Sequence, residues 1–532
     1  MDVLIVDVLG RGSGRRVVTV DAIGAGPRTI AGVLEGLGVS VELTVAESVF
    51  ASPRNLENYS ALMISAMSVD SAAVKRLVRL WRRYAGLRPV VIGGPIMNSP
   101  AQLVNVGADV GVIGEAESAI EALVREGLLE DVSSIAKDKG MVERLCGLVF
   151  NLKGKLLITR RCPLLKREEW ERYRPSTRVI EGYPRYWASR VYVEVLRGCS
   201  NYKIPDVKVL GTFIGKKLRR VVPGCAYCSV IWMWGPVKSR GVEHVYSEVK
   251  GLVEHGVRRI VLSGPDILDY GRDWLVEPRP LLDPSHPPAN LEALESLLSR
   301  LTAIPEVSSG EVAIMAENVK PSLVTEASAQ ILGKYLKGTP ISIGVESGDD
   351  RLLKVMGRPS TLRESLRAVE LLIKNGLRPH VYIMYCLPGE DSESISRTLK
   401  VIDKLYRMGV EKVTAYRYLP IPGSTLGDAI MMAHQDGIEC PHPHPVKVEA
   451  ERVNLKIKRK MIGRILRVIP AGVHPKYGRI VGYPLPHGPA VLLDVKPERD
   501  DVPPSLERRV LNVRVTGVVS DHLVEGVVVG YN

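Results

Sequence analysis

Short apolar runs and helix-period segments alternate along residues 1–130 and again along 191–450. A chain patterned this way lays its strands parallel, because each helix carries it back across a sheet before the next strand begins. In the first block the expected strands are Val3–Val8, Val39–Val45, Ala61–Ala66, Pro89–Ile92 and Asp109–Ile113, with helices over Pro27–Leu37 and Ser71–Tyr84. The expectation is a doubly wound parallel sheet with any ligand beyond the carboxyl ends of its strands. In the second block strands are expected at Val191–Leu196, Arg259–Ser263, Glu311–Ala316, Ile341–Glu346, His380–Tyr385 and Lys412–Tyr416. Helical patterns between them predict a partial (β/α)6 barrel, whose functional residues belong at the strand ends.

Two stretches break this rhythm. Residues 131–190 read as a linker with a hairpin, Gly147–Thr159, turning at Lys153-Gly154-Lys155. Residues 451–532 begin with a basic helix, Val453–Arg467. They continue as short strands at Ala490–Val495, Arg509–Val515 and Val524–Tyr531, the pattern of a small all-β barrel.

At 532 residues the chain is long enough for several cores. Its net charge of +13 favours an anionic partner such as nucleic acid. No apolar run reaches the length of a membrane helix, and the N-terminus reads as a buried strand and not an export signal. A cytoplasmic protein without a membrane partner is expected. Seven cysteines in such a chain argue against a disulfide framework. Cys146, Cys162 and Cys440 read as structural thiols, and Cys386 as a strand residue that packs.

The other three cysteines crowd together: Cys199 follows the strand segment Glu194–Gly198, and Cys225-Ala226-Tyr227-Cys228 comes after it. Three thiolates can hold three irons of a four-iron cluster and leave the fourth open to a small molecule. Structural zinc ordinarily takes four protein ligands, and no fourth Cys or His lies nearby in sequence. Cys386 is a fourth ligand only if the fold brings it close.

These residues resemble the signature of radical S-adenosylmethionine (SAM) enzymes, in which three cysteines follow the first barrel strand with an aromatic before the last. Tyr227 matches that aromatic. The departure is the insertion Ser200–Gly224, which carries Lys203, Lys208, Lys216, Lys217, Arg219 and Arg220. It is compatible with converging sulfurs if its ends meet, since loop length is cheap to close. The resemblance implies a [4Fe–4S] cluster on Cys199, Cys225 and Cys228, with SAM on the open iron. It implies a methionine-binding turn at Ser263-Gly264-Pro265-Asp266, with Asp266 in the place of a glutamate. It implies a ribose contact from Glu346 and Ser347, and an adenine loop at Tyr385–Glu390 that includes Pro388 and Gly389. Tyr418–Ser424 is similar to the segment that closes the sixth strand.

The first block resembles the cobalamin-binding domain that precedes many such barrels, with Ser65 at one strand end and the pair Gly93-Gly94 at another. Asp21–Gly26 occupies the place of its cobalt-ligating motif, but Ile23 stands where the histidine would be. A bound cobalamin would therefore lack a protein imidazole, and the same residue fits a domain that has lost the cofactor. The last block resembles the small RNA-binding barrel of tRNA methylthiotransferases, through Leu511–Gly517 and His522–Gly526.

Together these imply reductive cleavage of SAM, fed by a low-potential electron donor, to modify an unreactive carbon. The first reading is methylation of RNA, either tRNA or rRNA. Methylthiolation is disfavoured because no cysteine precedes Cys146 to hold a second cluster. Two rivals are the same chemistry on a lipid, metabolite or protein, and an iron–sulfur RNA-binding protein that senses redox state without turnover.

Overall fold

The computed structural model describes residues 1–10, 21–215, 218, 220–432, 440–499 and 501–531. The insertion residues Lys216, Lys217 and Arg219 lie outside the described residues. The chain divides into two compact units. The first comprises Met1–Tyr186, Val191–Val193 and Glu243–Gly256, and the second Trp187–Arg190, Glu194–Val242 and Val257–Asn532.

In the first unit a seven-stranded sheet runs in the order Ser40–Val45, Asp2–Asp7, Ala61–Ser65, Val90–Gly93, Val110–Val112, Leu148–Leu152, Lys155–Ile158. The first five strands are parallel, as their alternation with helices demands. The expected hairpin does not stand apart as a linker. It adds two antiparallel strands to the sheet edge, because Leu148–Leu152 pairs with Val110–Val112. Helix Ser71–Tyr84 shows how the sequence buries one face: Val74, Leu77, Val78 and Trp81 recur at helical spacing and are all buried. Strand order reverses between Asp2–Asp7 and Ala61–Ser65, where Val8 N–H donates to Ser65 O at 3.0 Å. Such a switch point opens a crevice at the strand ends.

The second unit contains the barrel strands apart from Val191–Val193 of the first. Arg259–Ser263 pairs in parallel with Ala313–Ala316, and Asn318–Val319, Pro340–Glu346, Arg378–Tyr385 and Lys412–Arg417 follow as a parallel sheet. Glu317 joins the two ladders: its N–H donates to Leu262 O and its carbonyl accepts from Ser342 N. The strand before the cysteines, Arg190–Glu194, continues to Val195, whose N–H donates to Ser263 O. All six expected strands are present within a few residues of their expected ends.

The C-terminal strands close into a five-stranded barrel in the order Ile465–Val473, Ile480–Pro484, Ala490–Leu493, Leu523–Tyr531, Leu511–Val518. Two strands, Ile465–Val473 and Ile480–Pro484, are additional to those expected. The basic helix is Pro445–Arg459, not Val453–Arg467. Pro445 sets its start, and Gly463, at φ +86°, turns the chain out of helical geometry. Four of the seven cysteines pair, Cys146 with Cys162 and Cys386 with Cys440, contrary to the expectation of no disulfides. The sequence separations, 16 and 54, gave no hint of either pairing. Among the described residues no helix is long and apolar enough to cross a membrane.

Candidate active site

Cys199, Cys225 and Cys228 are the unpaired cysteines of the second unit, all partly buried. The insertion between them begins and ends at one place, because Gly224 N–H donates to Lys203 O at 2.8 Å. Lengthening a three-residue link to 25 residues is about three doublings, which costs about 2 kcal/mol of closure entropy. Fixed anchors offset that cost. Asp206 N–H donates to Val355 O, Ala226 N–H to Met356 O, and Val222 N–H to Thr425 Oγ1.

Asn201 connects the sulfurs. Its backbone N–H lies 3.4 Å from Cys199 Sγ, and its side-chain Nδ2 lies 3.5 Å from Cys225 Sγ and 3.0 Å from Gly357 O. Val230 N–H points at Cys228 Sγ at 3.5 Å, and Cys228 N–H donates to Cys225 O. Arg358 Nη1 approaches Cys225 Sγ at 3.7 Å while its Nη2 donates to Gly344 O. Burial pushes the Cys199 thiol up to about 11 and the Cys228 thiol up to about 12, and the neighbouring thiolates add to the rise at Cys228. Positive charge partly opposes this, from Lys320 at Cys199 and Arg358 at Cys228. The donor set therefore fits a group that supplies the missing positive charge: three soft sulfurs, amide donors aimed at them, and no fourth thiol beside them among the described residues. Cys386 is not that fourth ligand, because it is bonded to Cys440.

The expected SAM contacts lie at the strand ends but are committed differently. Asp266 is fully buried, pushed up to about 6 mainly by that burial, with Lys320 Nζ 3.5 Å away. It accepts from the N–H groups of Leu268 and Lys320. Behind it Lys320 Nζ reaches Asp269 at 2.8 Å and Ser200 Oγ at 2.7 Å, and Arg272 also pairs with Asp269. Burial alone would raise Asp269; Lys320 and Arg272 outweigh it and hold this carboxyl low. The network braces the residue after Cys199. The carboxylate on the Ser263-Gly264 turn is instead Glu317, which accepts from Ser263 Oγ at 2.6 Å and Gly264 N at 3.3 Å. Glu317 lies one residue past the strand expected to end at Ala316, in the break between strands Ala313–Ala316 and Asn318–Val319. Its only sequence signal was a carboxylate at the end of the third strand.

Glu346 ends the fourth strand at φ +68°, a conformation costly for a side chain larger than glycine, beside a bulge. Its carboxylate lies 3.8 Å from Arg358, and burial raises both Glu346 and the nearby Tyr227, whose hydroxyl has no hydrogen-bond partner among the described residues. Tyr227 thus lies near Cys225, Cys228 and Glu346, close enough to feel the charge of each. Ser347 is turned inward, 2% exposed, with Oγ accepting from Asp349 N–H. Gly389 adopts φ +81°, and a Cβ there would come 2.2 Å from the Phe213 ring, so the insertion's helix Val207–Phe213 rests on the Pro388-Gly389 loop.

In the first unit Ser65, Gly93 and Gly94 sit at adjacent strand ends. Gly94 has φ +93°, and a Cβ would lie 2.6 Å from Ala66 O, so the close approach there is to backbone. Met67 and Val69, just beyond Ser65, are both 48% exposed, an apolar rim at the switch-point crevice. Ile23 is buried.

Residues 223–402 match the radical SAM superfamily profile and residues 14–124 the B12 binding domain. The chain belongs to the radical SAM superfamily. An uncharacterized protein of Methanopyrus kandleri is 38% identical over 99% of this chain and 96% of its own length. The tRNA-2-methylthio-N(6)-dimethylallyladenosine synthase of Chromohalobacter salexigens is 25% identical over 54% of this chain and 55% of its own. The radical SAM methyltransferase TsrM of Kitasatospora setae, solved with cobalamin and a [4Fe-4S] cluster, shares the fold. Its TM-score is 0.57 at 14% identity, covering 85% of this chain and 81% of that one. This radical SAM protein thus joins a B12-binding domain to a radical SAM domain and ends in a closed small barrel.

Proposed function

We propose that this radical SAM protein holds a [4Fe–4S] cluster through Cys199, Cys225 and Cys228 and modifies an unreactive carbon of RNA, most simply by methylation. Asn201 carries the assignment, because one residue donating to two of the three sulfurs sets them around a common centre. A cluster held by Cys199, Cys225 and Cys228 would supply the one-electron reduction of SAM that yields methionine and a 5′-deoxyadenosyl radical, with the electron coming from a low-potential donor. The chain's own residues do the rest. Amides of Asn201 and Val230 and the guanidinium of Arg358 stabilise thiolate charge. Glu317, on the Ser263-Gly264 turn, is positioned to accept from an amino group, the role first expected of Asp266. Tyr227 and Glu346 offer an aromatic edge and a carboxylate for the nucleoside.

Cobalamin in the first unit would sit at the Ser65 and Gly93 strand ends, with the Met67–Val69 rim against the apolar corrin. A cobalamin bound there would meet Ile23 in the place of the motif's histidine and would lack a protein imidazole. The RNA reading rests on the net charge, on the partial match to a tRNA-modifying enzyme and on the terminal barrel. A cytoplasmic setting goes with it.

A second reading, a small-molecule or protein substrate, is favoured by how the terminal barrel is docked. Ile469, Leu485 and Val510 share a core with Ala188, and Ala313 of the radical SAM region packs against it. Arg378 donates to His487 O, and Arg467 to Gly310 O. In the basic helix Lys458 is 3% exposed, and Lys456, with Lys460 just past the helix end, lies over the Tyr406 ring, so part of this charge is spent internally. Crosslinking the full chain to cellular RNA and to protein separates the readings. Enrichment of one tRNA or rRNA species supports RNA; crosslinks to protein alone would rule it out.

A further inference from the structure

A second cluster of ligating groups lies beyond the cysteine trio, where strand Arg378–Tyr385 ends. Cys386 Sγ, a Glu390 carboxylate oxygen and a ring nitrogen of His444 all lie within 4.8 Å of one another. Cys386 sits at φ +58°, and its N–H donates to Glu390 Oε2 at 2.7 Å. His444 is 2% exposed, with its ring stacked on Tyr385 at 4.7 Å. Its Nε2 is 3.3 Å from Glu390 Oε2 yet makes no hydrogen bond. Cys440 supplies a fourth group, its sulfur bonded to Cys386. The four residues come as two matching pairs, Cys386-x-x-x-Glu390 and Cys440-x-x-x-His444. Among the described residues no Lys or Arg is paired with Glu390, so a largely buried carboxylate, an orphaned imidazole nitrogen and two sulfurs converge without a cation.

We propose that Cys386, Glu390, Cys440 and His444 form a metal site for one thiophilic divalent cation of the Zn2+ type, and that the Cys386–Cys440 disulfide is its oxidised, metal-free state. Two sulfurs, an imidazole and a carboxylate are a zinc donor set, and a divalent ion balances the two thiolates. A dithiol reductant gives two electrons and two protons to the disulfide, yielding two thiols and its own disulfide. Zn2+ then displaces both thiol protons. In reverse, a small-molecule disulfide accepts the two electrons and the ion leaves. Bound sulfurs stand about 2.3 Å from zinc and no longer touch each other, so the Cys440 side chain must swing away from Cys386. Val446 N–H approaches His444 Nδ1 at a long 3.3 Å, and zinc on Nε2 would give up that contact as the ring proton moves to Nδ1. The site ties the Leu387–Gly389 loop to the start of helix Pro445–Arg459.

The test uses the full chain, reduced anaerobically with a dithiol, loaded with Zn2+ and desalted. The expected result is about one zinc per chain beyond the iron, with an absorption-edge first shell of two sulfurs near about 2.3 Å and two N/O near about 2.0 Å. Cys440→Ser and His444→Ala should each weaken zinc binding by about tenfold or more. A Cys199→Ala/Cys225→Ala/Cys228→Ala chain should lose iron and keep the zinc, which separates this site from the cluster. Oxidised glutathione should expel the zinc and yield a Cys386–Cys440 linked peptide. Failure to bind zinc, zinc that disappears with the cluster cysteines, or zinc retained alongside the linked peptide would overturn the proposal. If the single variants do not fold, the first shell of the unaltered chain decides.

Discussion

Asn201 bridges Cys199 and Cys225: its backbone N–H points to one sulfur at 3.4 Å and its side-chain amide to the other at 3.5 Å. Twenty-five intervening residues do not separate the two thiols, because the insertion closes at Lys203 and Gly224. Replacing Asn201 with Ala removes the side-chain donor to Cys225 and the bond to Gly357 O. A charge-assisted hydrogen bond is worth about 1.5–3 kcal/mol, so cluster loss on dilution should quicken by about tenfold or more. The cluster potential should also fall. Iron-release kinetics and potentiometry check both; an unchanged potential would show that this amide does not reach a ligating sulfur.

Lys320→Met leaves Asp266 and Asp269 buried with Arg272 as the main remaining cation. Breaking one side of a buried pair costs about 3–5 kcal/mol, read as a lower denaturation midpoint. Because Ser200 hangs on the same network, iron content after reconstitution should fall with it.

Glu317 and Asp266 separate binding from folding. Glu317→Gln should weaken SAM binding by about tenfold or more, measured by calorimetry, with little change in melting. Asp266→Asn should lower the melting temperature by removing a partner of Lys320. Equal SAM affinity in Glu317→Gln would return the amino-group role to another residue.

His487 gives a pH dependence. Burial, with Arg190 and Arg259 nearby, holds its pKa well below 6.5, and its Nδ1 faces Arg259 Nη2 at 3.1 Å. The unfolded chain takes up a proton near pH 6.5 that the folded chain refuses. Stability from this group is therefore full above that pH and lost as pH falls below it, by up to about 1.4 kcal/mol per unit. Melting temperatures between pH 7.5 and 5.5 should fall less in His487→Gln than in the unaltered chain.

Much of this was legible in sequence because period and order are local properties. The strands and helices of both blocks, and the Cys225-x-x-Cys228 pair, needed only neighbours a few positions away. What escaped depended on three-dimensional closure. Asp266 looked available until Lys320, 54 residues on, claimed it. Glu317 lay one residue past the expected strand end at Ala316 and had no role until the turn at Ser263 met it. Cys386 paired with Cys440 across a span in which nothing local announced a partner. Strands Ile465–Val473 and Ile480–Pro484 were hidden by Pro470, Gly472 and Gly482, which sit at a bulge or a tight crossing that only the closed barrel explains.

Electron paramagnetic resonance of the reduced, anaerobically reconstituted chain tests the cysteine assignment most directly. The account predicts a [4Fe–4S]+ signal that changes when SAM is added and vanishes in Cys225→Ala. A signal indifferent to SAM, or one that survives loss of Cys225, would contradict it.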